Sequence, residues 1–175
     1  MFLMAARVAP AADFPHQIVT SGLGYFPVAV RLRNGDVLAV IRGGAAHIGV
    51  KGRLDLVRST DGGKTWSPPW TAIDGSLDDR NPAIGQLKDG RILMVYGERN
   101  APRGVHAMIS RDGRAWDKSK RIVLANDAPN GDCGYPSSVE VENGKVVTLY
   151  YQVDDPKNAP ASSSARAILW SVPKN

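Results

Sequence analysis

Tyr135, in the run Gly134-Tyr135-Pro136-Ser137-Ser138, offers a phenol at the start of an apolar segment, where it serves either as a nucleophile or as packing. Arg80 lies between Asp79 and Asn81, and is either a grip for an anion or one half of a rim ion pair. His47 closes the run Gly43-Gly44-Ala45-Ala46, and is either a proton carrier or surface decoration. Asp78 and Asp79, beside Arg80, are further candidates for moving a proton, whereas Glu98 next to Arg99 reads first as a solvated hairpin end. Cys133 is the single cysteine, and no His/Asn arrangement supports it as a thiol nucleophile. No Gly-rich loop opens a helix and no His/Cys cluster occurs, so nothing implies a nucleotide, flavin or metal cofactor.

The chain that must position these groups has 175 residues, with 22 Lys and Arg against 17 Asp and Glu, a formal charge of +5. That length suits one domain with its own core. The basic residues are spread singly (Arg7, Arg31, Arg33, Arg42, Lys51, Arg53, Arg58). With no cluster of five or more, the pattern does not point to nucleic acid, and a site for a small anion is as compatible with this charge as a polyanion groove. No run approaches the 18 or so apolar residues of a membrane-spanning helix. The start, MFLMAARVAPAADFP, lacks a charged stretch ahead of a short apolar one and reads as an N-terminal arm over residues 1–15, either a leader remnant or a frayed end. Eighteen Gly and twelve Pro punctuate the remainder too often for long helices.

A repeat organises that remainder. YFPVAVRLRNGDVLAVI from Tyr25, RNPAIGQLKDGRILMVY from Arg80 and GYPSSVEVENGKVVTLY from Gly134 align through Pro27, Pro82 and Pro136, each followed eight positions later by Gly35, Gly90 or Gly144. Asn34-Gly35, Asp89-Gly90 and Asn143-Gly144 between Val-, Ile- and Leu-rich runs predict three β-hairpins. Each Pro falls near a strand start, where a missing N–H does least damage. Third strands are expected over 53–58, 105–109 and 166–170, fourth strands around 70–73 and 121–125, and an unpaired outer strand over His16–Thr20. Four short strands in a repeat of this length is the pattern of a propeller blade. The expected architecture is all-β, with three four-stranded blades, over residues 16–175.

The links between third and fourth strands carry the most specific motif. Ser59-Thr60-Asp61-Gly62-Gly63-Lys64-Thr65-Trp66 fits Ser-x-Asp-x-Gly-x-Thr-Trp at every defined position. Ser110-Arg111-Asp112-Gly113-Arg114-Ala115-Trp116 is a second copy, one residue shorter, with Ala115 in place of Thr. The Asp carboxylate is suited to accept the N–H groups of a tight turn, Gly63 to a left-handed conformation, and Trp66 to wedging between sheets. On these residues the chain resembles the Asp-box (BNR repeat) proteins of the sialidase-like β-propeller family, over nearly its whole length but with half that family's six blades. The resemblance assigns Ser59, Asp61, Gly63, Trp66, Ser110, Asp112 and Trp116 to structure, on the rim and away from the active site.

The same resemblance implies an exo-sialidase-like glycoside hydrolase acting on acidic, sialic-acid-type glycans. In that family three Arg hold a substrate carboxylate, a Tyr activated by a Glu is the nucleophile, and a loop Asp is the acid/base. Tyr135 matches the nucleophile segment. Arg80 and Arg42, with Arg53, are the candidate carboxylate grips, and Tyr25 and Asn81 flank the same pocket. Tyr25 stands where the family's first-blade Arg is expected, and the loop from Gly43 to His47 lacks the Asp. His47 or Asp79 then takes the acid/base role, and Glu98 is the activating residue by type alone. The alternative is a non-catalytic Asp-box propeller that binds glycan or protein. Three blades cannot close a ring by themselves, so the expectation is either a homodimer completing six blades, each first strand closing the other chain's last blade, or a truncated or internally deleted version of a propeller about twice as long.

Overall fold

The computed structural model describes residues 16–22, 24–47, 49–99, 104–129, 133–155 and 162–174; the arm expected over 1–15 lies outside them. The repeat is visible as three consecutive antiparallel sheets. The first holds β1 (Tyr25–Arg31), β2 (Val37–Gly43), β3 (Arg53–Ser59) and β4 (Trp70–Ile73) in sequence order. The second repeats this with β5 (Asp78–Gln86), β6 (Ile92–Arg99), β7 (Gly104–Ser110) and β8 (Ile122–Ala125), a single 3-10 turn at Lys118–Lys120 preceding β8. The third holds β9 (Cys133–Glu142), β10 (Lys145–Asp155) and β11 (Ser162–Ser171). β5 lies against both β1 and β9, which brings the first strands of all three sheets together.

The hairpins form where the repeated glycines predict them, but only the glycine turns left-handed. Gly35 and Gly90 have φ near +93° and +94°, and Asn34 and Asp89 do not share that sign. Gly35 N donates to Leu32 O (2.9 Å) and Leu32 N to Asp36 O (2.8 Å); Leu87, Gly90 and Arg91 repeat both bonds. This is a turn closed by one left-handed glycine, which leaves the flanking strands in register.

β6 shows why the sheets stack. Its Ile92, Met94 and Tyr96 pack toward the first sheet with Leu38, Val40, Leu54, Leu56 and Met108. The alternate residues Leu93 and Val95 pack toward the third sheet with Val105, Val146 and Tyr150. A strand apolar on both faces needs a sheet on each side. Each fully buried aliphatic side chain here contributes about 1.5–3 kcal/mol.

One expectation is corrected. His16–Thr20 forms no strand, because a lone extended segment has no ladder to join; Gln17 Nε2 instead donates to Lys64 O (2.8 Å). The third sheet has, among the described residues, the three strands expected of the last repeat. Its outward face carries Val139, Val141, Leu149 and Leu169 at 56, 48, 47 and 67% exposure.

Candidate functional site

The start of each first strand is distorted in the same way. Phe26, Asn81 and Tyr135 each immediately precede a repeated Pro, and each has a left-handed backbone, with φ of 53°, 51° and 47°. Strand pairing skips at the same places, between Tyr25 and Val28, between Arg80 and Ala83, and opposite Leu149 and Tyr151. A bulge re-aims the side chain it carries. Asn tolerates the left-handed region, but for Phe and Tyr it costs on the order of 1–3 kcal/mol each.

The bulges gather rings. The Phe26 ring centre lies 5.3 Å from His47, 6.4 Å from Tyr25 and 6.4 Å edge-on from Tyr135, which itself lies 5.7 Å from Tyr151. Tyr25 and His47 are 5.5 Å apart. The Arg80 guanidinium carbon stands 5.9 Å from the Phe26 ring centre. Tyr135 is 58% exposed, so the wall of rings is open to solvent.

Arg42 and Arg80 are turned inward, whereas the Arg53 side chain is 43% exposed. Arg42 is fully buried and donates to Asp78 Oδ1 from Nε (3.1 Å) and Nη2 (2.5 Å), and from Nη1 to Ala46 O (2.8 Å). Gly52 N donates to the same Asp78 oxygen (2.8 Å). A β-carbon at Gly52 would lie 2.4 Å from Arg42 Nε, so only glycine fits against this pair. Arg42 therefore secures the loop after β2 rather than presenting an edge for a ligand. Arg53 donates from Nε to both Asp55 oxygens (2.9 and 3.1 Å), and Asp55 also accepts Thr71 Oγ1 (2.8 Å). Arg80 donates from Nη2 to His47 O (2.8 Å), with Asp78 Oδ2 3.4 Å from its Nε. Burial lowers the Arg80 guanidinium's basicity, opposed by the Asp78 charge.

Asp79 and Glu98 lie apart from the rings, in a buried cluster beside the first sheet. Asp79 Oδ2 accepts Gly75 N (2.7 Å), and Oδ1 has no hydrogen-bond partner. Burial, reinforced by the Glu98 charge and partly offset by the Gly75 N–H, pushes its carboxyl up to about 7. Glu98 receives Arg121 Nη1 at 3.2 and 3.3 Å and lies 3.0 Å from His106 Nε2. Burial, aided by the Arg121 charge, pulls His106 down to about 4. A cavity of about 160 Å³ lined by Ile73, Gly75, Tyr96, Met108, Lys118 and Arg121 adjoins them. Neither carboxyl shares a contact with Tyr135. Asn81 is buried too, its Oδ1 without a partner.

The turns after β3 and β7 are cross-braced. Asp61 Oδ1 accepts the N–H groups of Lys64 and Thr65 (3.0 and 2.9 Å), Oδ2 accepts Thr65 Oγ1 (2.6 Å), and Ser59 Oγ accepts Gly63 N (2.8 Å). Asp112 and Ser110 repeat these bonds to Arg114, Ala115 and Gly113. These donors hold both carboxyls well below the usual carboxylate range, Asp61 chiefly through Thr65 and Asp112 chiefly through the Ala115 N–H. Trp116 is buried in the seam between the first two sheets, its Nε1 donating to Gly113 O (3.0 Å), whereas Trp66 is only half-buried.

The sequence placed Tyr25, His47, Arg80 and Tyr135 near one another, and the structure gathers them. It places Asp79 and Glu98 in a separate buried cluster, and sets Arg42 behind the wall, sharing Asp78 with Arg80. Tyr151 was not singled out as a site residue, nor were Arg121 and His106. Phe26 was legible from its place before the repeated Pro, and Tyr151 in principle from the strand parity that sets it beside Tyr135.

Sheets whose first strands meet at the centre and whose third and fourth strands join through braced Asp turns define part of a sialidase-like β-propeller. The BNR repeat-like domain matches residues 21–148, and the chain belongs to that family. Among solved structures it resembles a protein of unknown function from Dyadobacter fermentans (26% identity, TM-score 0.65, 83% of this chain and 37% of that one). It also resembles an α-L-arabinofuranosidase from Fusarium graminearum (17%, TM-score 0.59, 85% and 45%). A third is the NanB sialidase of Streptococcus pneumoniae (12%, TM-score 0.57, 94% and 47%). The chain thus spans less than half the length of these three proteins. No curated protein sequence matches it.

Proposed function

We propose that the wall formed by Tyr25, Phe26, His47 and Tyr135, with Arg80 beside it, is a glycan site. The observation carrying this reading is the pair of ring-bearing residues, Phe26 half-buried and Tyr135 exposed, held in strained backbone at first-strand bulges where the three sheets converge. Ligand sites combine apolar and aromatic surface with a few polar groups, which this wall supplies. Family membership and neighbours whose names include two glycosidases support a glycan-related role.

Hydrolysis is the second reading, favoured by the exposure of the Tyr135 phenol. In it Tyr135 Oη attacks the anomeric carbon, its proton passes to a base, and the departing oxygen takes a proton from an acid. No described carboxylate touches Tyr135, so the base is not assembled within this chain as described. A fluorogenic sialoside assay on the wild type and Tyr135→Phe tests it. Turnover abolished by removing the phenol oxygen supports covalent hydrolysis of acidic glycans. Glycan binding without turnover supports the binding propeller.

We further propose that a second copy covers the outward face of the third sheet and completes the ring as a homodimer. A light-scattering mass of twice the chain's 18.8 kDa is expected; a well-folded sample at the single mass overturns it.

A further inference from the structure

Resting on the glycan reading above, we infer that the sugar ring this site takes is uncharged and stacks on Phe26 and Tyr135, rather than being gripped by a carboxylate. Three observations converge on it.

The first is how the cations are spent. A carboxylate is held well by a guanidinium edge presenting two parallel N–H donors. Arg42 gives both donors of such an edge to Asp78 inside the protein, and Arg53 gives its Nε to Asp55. Arg80 has its Nη2 on His47 O and Asp78 Oδ2 beside its Nε. A carboxylate arriving at Arg80 therefore meets the acceptor oxygens of Asp78 and His47 as well as the one cation. Arg42 already matches the Asp78 charge, so Arg80 keeps its positive charge but has no free Nε–Nη2 edge to pair with a carboxylate.

The second is the surface that remains. Phe26, Tyr25 and His47 lie with ring centres 5.3 to 6.4 Å apart, and Tyr135 stands edge-on to Phe26 at 6.4 Å. A neutral furanose or pyranose turns C–H groups to one face and hydroxyls to its rim, and matches such a wall. A Tyr hydroxyl can donate to or accept from a rim hydroxyl, and the Arg80 guanidinium can donate to one.

The third is the backbone. Glycine adopts φ near +50° without strain, yet two of the three bulge positions carry Phe and Tyr. A strained conformation kept with a large ring in place points to a use for the ring.

Ligand-observed NMR titration of the full chain with arabinobiose, lactose and cellobiose, against 3′-sialyllactose, tests the inference. At least one neutral disaccharide binds, and its affinity holds as salt rises to about 1 M, where the screening length falls to about 3 Å. Phe26→Ala weakens it about tenfold, the scale of one aromatic contact, and Phe26→Leu, which keeps apolar bulk without the ring, does the same. Circular dichroism verifies that each variant retains its sheet signal. Binding of sialyllactose alone, or neutral-sugar binding that collapses with salt and survives both Phe26 changes, overturns the inference and leaves the glycan reading standing. A folded chain that binds none of the four overturns the glycan reading itself.

Discussion

Asp79 carries a group that burial keeps protonated to about pH 7, while an exposed Asp ionises near 3.9. Its folded value is the higher one, so its contribution is fully present below pH 4 and is lost as pH climbs toward 7. His106 runs the other way: with a folded value of about 4 against about 6.5 when exposed, its contribution holds above pH 6.5 and is lost toward pH 4. Asp79→Asn retains an acceptor for Gly75 N–H and removes the ionisation. Its melting temperature is expected to exceed the wild type's at pH 8, with the gap closing toward pH 4; each pKa unit involved is worth about 1.4 kcal/mol. Equal melting at pH 8 contradicts the assignment. Asp78→Ala strands the buried Arg42 charge, and urea unfolding should register a loss of about 3–5 kcal/mol. Neither role was legible beforehand, because adjacent carboxylates such as Asp78 and Asp79 look alike until packing gives one a guanidinium and the other a glycine.

Hairpins, third strands and fourth strands were largely legible at the scale of elements, since the Pro and Gly punctuation recurs at fixed offsets and the apolar runs between have strand length. The bulges were not. A Pro marks a strand start but does not report the handedness of the residue before it, and pre-Pro sterics favour extended backbone there. The braced turns give a comparative prediction. Gly63 has φ of 93° with open space where a β-carbon would go, so Gly63→Ala suffers backbone strain alone. Gly113, at φ of 76°, would place that carbon 3.0 Å from both Leu38 Cδ2 and Ile92 Cδ1. Gly113→Ala should therefore lose about 1–3 kcal/mol more than Gly63→Ala in chemical denaturation. A smaller loss at Gly113 contradicts the close seam between the first two sheets.

For the whole molecule, counting strands pointed to the last blade as the incomplete one, but not to the side chains on its uncovered face. Val139, Val141, Leu149 and Leu169 are those side chains, lying on the one face of the third sheet turned away from β6. If a second copy sits there, Leu169→Glu with Val139→Glu returns the light-scattering mass to that of a single chain and preserves the sheet signal. An unchanged double mass would place the contact elsewhere.

The double-sided packing of β6 also orders the way the protein comes apart. Amides of Leu93 to Val95 sit behind side chains on both faces and ladders on both edges, so they open only when the middle sheet itself is lost. β11 has a single ladder partner and exchanges its amides first. Deuterium uptake should therefore advance inward from the third sheet, leaving the middle sheet as the last protected remnant.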